Sequence, residues 1–90
     1  MKQPIVGPKT FAELEALQSI TATELIETMR DYVETRSGIS TVTVADLIRK
    51  TLLSDEERDL LKELCIQGCK QEAKGNFRTA CDYLKVFSLL

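Results

Sequence analysis

The sequence predicts an all-α fold, a small bundle of antiparallel helical hairpins. Four capping signals, at Thr10, Thr21, Thr43 and Ser54, are each followed by apolar residues at three- and four-residue steps, the period of a helix with one buried face. Against them stands a single β-prone run, ISTVTV from Ile39, with no second strand for it to pair with. The 90 residues, 43% hydrophobic and 29% charged, are enough for one domain with a modest core. The domain is expected over residues 10–90, preceded by an extended arm over residues 1–9, which hold both prolines of the chain.

Thr10-Phe11-Ala12-Glu13 has the form of a capping box, so a short helix is predicted from Phe11 to Gln18, with Phe11, Leu14 and Leu17 on one side. Thr21-Ala22-Thr23-Glu24 repeats the device, with Ile20 and Leu25 at the positions of a hydrophobic staple. That helix is predicted to run to about Arg36 with Ala22, Leu25, Ile26, Met29 and Val33 inward, and to end at Ser37-Gly38. Ile39 to Val42 is read as a connector leading to Thr43. Thr43 then caps a helix from Val44 to Leu52, with Val42 and Leu47 as its staple and Val44, Leu47, Ile48 and Leu52 toward the core. Ser54-Asp55-Glu56-Glu57 is a further capping box, and its acids complement the positive end of the helix dipole. It lacks the alternating ligands and central glycine of a calcium loop. Residues 21–52 are expected to form one hairpin and residues 54–90 another.

The second hairpin is the best specified. Its first helix carries Leu60, Leu61, Leu64, Cys65, Gly68 and Cys69 on one side, and its second answers with Phe77, Ala80, Cys81, Leu84 and Phe87. Gly68 and Ala80 lack bulk and predict a close crossing. Gly75 suits a left-handed helix end and Asn76 the next cap. With Gly68 at the close-packing position, Gly75-Asn76-Phe77 at the turn, Ala80 in the second helix and Leu84 four residues on, the segment from Leu61 to Leu90 resembles a tetratricopeptide (TPR) repeat. It departs from that pattern where aromatic residues usually stand, at Leu64 and Gln71, and where Phe87 replaces a small residue. The resemblance implies a protein-binding scaffold. In size and composition the chain also resembles the small heterodimeric chaperones of type III secretion.

The chain has no histidine, and its four glycines are too scattered to cradle a phosphate. Neither an enzyme nor a cofactor is expected. Cys65, Cys69 and Cys81 fall on the expected inner faces, without a fourth thiolate to complete a metal site, and are read as core thiols of a reducing cytoplasm. A net charge of -2 disfavours nucleic-acid binding. Lys70, Lys74 and Arg78 gather near the turn, read either as cations at a helix C-terminus or as contacts for an anionic partner. No apolar run is long enough for membrane insertion, and the first ten residues do not resemble a secretory signal.

A binding function follows from the last helix. Tyr83, Val86 and Leu90 form a second apolar stripe beside Leu84 and Phe87, and a helix that is apolar on two sides is either buried or partnered. Either the first hairpin covers that stripe, or a partner does. The functional expectation is a small cytosolic adaptor or chaperone that binds an amphipathic helix of another protein through Tyr83, Val86 and Leu90, as a homo- or hetero-oligomer. The alternative is a redox- or metal-responsive regulator acting through the three cysteines. Thiol accessibility separates the two.

Overall fold

A computed structural model describes residues 10–90, and the arm expected over residues 1–9 lies outside the described residues. The described chain forms five helices and no strand: α1 (Phe11–Glu15), α2 (Ala22–Thr35), α3 (Thr41–Lys50), α4 (Asp55–Glu72) and α5 (Phe77–Phe87). The all-α expectation therefore holds for these residues.

Three of the helix starts are the predicted capping boxes. At Thr10, Thr21 and Ser54 the hydroxyl accepts from the third helical amide at 3.1 Å, and the glutamate at that third position accepts from the cap amide at 2.8–2.9 Å. Two orphan amides are thus satisfied at each start. The fourth start is corrected: α3 begins three residues early, because Ser40 caps it by accepting from the Thr43 amide at 3.3 Å. The β-branched residues Thr41, Val42 and Thr43 are helical despite their strand preference. The earlier register puts Ile39 and Val44 at the staple positions, and both are buried. Val42, expected to be half of a staple, is turned to solvent.

The helix ends also differ from expectation. Helix α1 stops at Glu15, leaving Leu17 at the rim. Helix α2 closes through Arg36 and not through Gly38. The Ser37 amide donates to the Tyr32 carbonyl at 3.0 Å and the Arg36 amide to that of Val33 at 3.3 Å, the paired bonds of a Schellman closure. This puts Arg36 in the left-handed region at φ 57, ψ 40. Helix α3 ends at Lys50, where the Thr51 hydroxyl donates to the Leu47 carbonyl at 2.7 Å and the backbone turns extended. In that extended stretch side chains alternate sides. Leu53 packs on the core while Leu52, expected inside, is 94% exposed.

Packing closes the helices into a ring. Helix α1 touches α2 and α3, α2 touches α4, α4 packs extensively on α5, and α5 returns to α3. The expected 54–90 hairpin is therefore present, but the expected 21–52 hairpin is not. Helix α1 takes the place of a direct α2–α3 interface. Phe11 anchors it, stacking on Tyr32 with ring centroids 4.3 Å apart, while its amide donates to the Tyr32 hydroxyl at 3.4 Å. The ring encloses one hydrophobic cluster to which every helix contributes, with Leu14, Leu25, Met29, Val44, Leu47, Leu61, Cys65, Tyr83 and Val86 at its most buried points. The Cα radius of gyration, 13.0 Å, is close to the roughly 12 Å of a single compact domain of this length.

Candidate functional site

Helix α5 is the element whose exposed surface the sequence reading singled out. Asn76 caps it, its side-chain oxygen accepting from the Thr79 amide at 3.4 Å, as expected. Gly75 sits in the preceding turn without a positive φ, so its predicted left-handed role is corrected. Four-residue bonding from the Asn76 amide to the Glu72 carbonyl at 2.8 Å closes α4 instead.

The orientation of α5 is the larger correction. The stripe expected to face a partner faces the core: Tyr83 and Val86 are both 0% exposed, and Leu90 is partly buried against the cluster. Of the face expected to fill the hairpin, Ala80 is buried and Phe87 and Cys81 are half-buried, but Phe77 is 74% and Leu84 51% exposed. The cause lies on α4. Leu64 and Gly68 are buried as predicted, yet Gly68 is matched to Tyr83 and not to Ala80. A Cβ at residue 68 would lie 2.7 Å from Cε1, Cε2 and Cζ of Tyr83 at once, so the ring lies directly on the glycine backbone. A large knob seated on a missing side chain buries more apolar area than two small residues facing each other. That fit rotates α5 so that Phe77 and Leu84 turn outward.

The Tyr83 hydroxyl is buried there without a hydrogen-bond partner. Desolvation pushes its pKa up to about 12, reinforced by the charges of Glu72, Cys65 and Tyr32. Burial likewise pushes the Cys65 thiol up to about 12. A thiol held protonated is a poor nucleophile and a poor metal ligand. Cys69 and Cys81 are half-buried, and among the described residues no group of histidine, cysteine, aspartate or glutamate side chains is placed to hold a metal ion.

Sequence reasoning missed a polar link between the ends of α2 and α4. Glu72, almost fully buried on the last turn of α4, accepts from Nε of Arg36 at 2.9 Å, and the same guanidinium donates to the Gln71 carbonyl at 3.0 Å. The carboxylate raises the already high pKa of Arg36, first through the hydrogen bond and then through its charge. The signal was present in part: Glu72 lies at the i+4 and i+7 steps from Gly68 and Cys65, on the buried side.

The outward surface of α5 has a simple layout. Phe77 and Leu84 are two turns apart on one line, with Cys81 between them, and Arg78 and Lys85, with Asp82 between them, form a parallel line about 100° round the helix. Lys70 and Lys74 are exposed on the approach to the turn. Among the described residues none of these cations is held in an ion pair. No helix of the described chain is long and apolar enough to cross a membrane. No family model, characterised protein or solved structure matches this chain.

Proposed function

We propose that this protein is a non-enzymatic interaction module, a small adaptor or chaperone that binds an amphipathic helix of a partner protein, and that the binding face is the outer side of α5. The observation that carries the reading is the alignment of the exposed Phe77 and Leu84 on one helix line, whereas the other strongly exposed apolar side chains, Val42 and Leu52, lie apart on α3 and in the extended segment after it. Water-exposed phenylalanine at the first position of a helix contributes little to folding, and its burial against a partner would release about 1.5–3 kcal/mol before association costs. The extensive packing of α4 on α5 is compatible with the helical hairpin that the TPR resemblance of residues 61–90 implies. A cytoplasmic setting suits the three unpaired cysteines.

The test is quantitative affinity capture from the native host with the wild-type chain and with Phe77→Ser/Leu84→Ser, both checked for folding by circular dichroism. The reading expects a partner retained by the wild type and lost with the double variant. Equal retention by both would move the binding face away from α5. The cysteine-regulator alternative is weaker, because burial keeps Cys65 protonated. It would regain ground if oxidant altered the fold through Cys69 or Cys81.

A further inference from the structure

We infer that the helix received by α5 is acidic: an amphipathic segment whose apolar face meets Phe77 and Leu84 and whose flanking carboxylates meet Arg78 and Lys85. The inference rests on the adaptor reading and specifies the chemistry of the partner.

Charge is distributed unevenly along this chain. Lys74, Arg78 and Lys85 against Asp82 give residues 73–90 a net charge of +2, in a chain whose total is -2. Arg78 is also placed against the interest of its own helix, whereas Lys85, in the last turn, is placed favourably. The first turn of α5, like that of α3, holds no acid, and Arg78 stands at its second position, with Lys74 two residues before the Asn76 cap. Positive side chains at the positive end of a helix dipole are unfavourable locally, whereas α1, α2 and α4 each put glutamate there. Arg78 and Lys85 repeat the seven-residue spacing of Phe77 and Leu84, so the two lines run side by side. A helix laid along the apolar line brings one of its own flanks over the line of Arg78, Asp82 and Lys85, which is cationic on balance, at the 8–10 Å axis separation typical of packed helices. Carboxylates on that flank would be paired, and lysines would be repelled.

A second copy of the chain is a poorer occupant. Pairing α5 on α5 would set the Arg78 and Lys85 lines of both copies against each other, with only Asp82 to compensate. Nucleic acid is poorer too, because the cations border an apolar line and the remainder of the chain is acidic.

The experiment uses the full chain and two synthetic peptides of about 18 residues, five helical turns, with the same leucine and phenylalanine face, one flanked by glutamates and the other by lysines. Binding is read by fluorescence anisotropy at low salt, about 0.02 M, and at about 0.3 M, where screening is strong. The expected result is roughly tenfold or greater preference for the glutamate peptide at low salt, shrinking at high salt. Phe77→Ser/Leu84→Ser should abolish binding of both peptides, and Arg78→Glu/Lys85→Glu should reverse the preference. Equal or tighter binding of the lysine peptide at the Phe77–Leu84 face would overturn the acidic partner and leave the adaptor reading standing. If neither peptide binds the folded chain, the helix-binding reading itself fails. A wild-type dimer in sedimentation that Phe77→Ser/Leu84→Ser dissolves would overturn the inference in favour of a second copy. Tighter binding to phosphatidylserine vesicles than to the glutamate peptide would overturn it in favour of a membrane surface.

Discussion

At the scale of single residues, the contact between Gly68 and Tyr83 decides most. Because a Cβ at position 68 would meet three ring atoms at 2.7 Å, Gly68→Ala gains about 1 kcal/mol of helix propensity but forces a fully buried ring to move. Overpacking of this kind costs about 1–3 kcal/mol, so a net loss of stability is expected, larger for Gly68→Leu. Urea unfolding checks it, and a stabilised Gly68→Ala would mean that the ring moves aside freely. Tyr83→Phe is expected to act in the opposite direction. It removes a buried hydroxyl that has no partner, so it should be neutral or stabilising by about 1 kcal/mol; a marked drop in melting temperature would reveal a hydrogen bond to that hydroxyl. Arg36→Ala leaves the buried Glu72 carboxylate without its cation and is expected to lower the melting temperature more than Glu72→Gln, which removes charge and partner need together.

At the scale of elements, the sequence was most legible where the physics is local. The boxes at Thr10, Thr21 and Ser54 and the Asn76 cap involve residues within three positions of each other, and all four form as read. The α3 start was misplaced at Thr43: the cap is Ser40, three residues earlier, and in that register Ile39 and Val44 are both buried. The facing of α5 was not legible in the same way. The helix is apolar on two sides, at Phe77, Cys81 and Leu84 and at Tyr83 and Val86, so periodicity alone allows either side to turn inward. A glycine was expected to mark small against small, and here it marks a socket for a tyrosine. The insertion of α1 between α2 and α3 was equally hidden, since a five-residue helix has little periodicity of its own. It is held through Phe11 and Leu14, both nearly fully buried. Phe11→Ala is therefore expected to cost about 3–5 kcal/mol, with loss of the Phe11–Tyr32 stacking readable in the near-ultraviolet circular dichroism. A cost below about 1 kcal/mol would mean that α2 and α3 can pack without the wedge.

At the scale of the whole molecule, a single core carries two acids that burial holds protonated. The Cys65 thiol and the Tyr83 phenol have folded pKa values raised to about 12 from ordinary values of 9.0 and 10.0. In the unfolded chain they release protons first, so the unfolded state binds fewer protons above pH 9 and stability falls as pH rises. Stability from these groups should be complete below about pH 9 and lost progressively toward pH 12. Unfolding midpoints measured across that range should fall, and the fall should be smaller in Tyr83→Phe. The same burial makes Cys65 the thiol expected to react last with a disulfide reagent in the native state, after the half-buried Cys69 and Cys81.

The functional reading depends on which side of α5 is surface, and one comparison tests that side directly: the urea midpoint of Phe77→Ser/Leu84→Ser against that of Val86→Ser. Removing two exposed side chains should shift stability by no more than about 0.5 kcal/mol each, whereas a serine in place of the fully buried Val86 should cost about 2 kcal/mol or more. A double variant that unfolds while Val86→Ser retains wild-type stability would put Phe77 and Leu84 in the core and contradict the binding face.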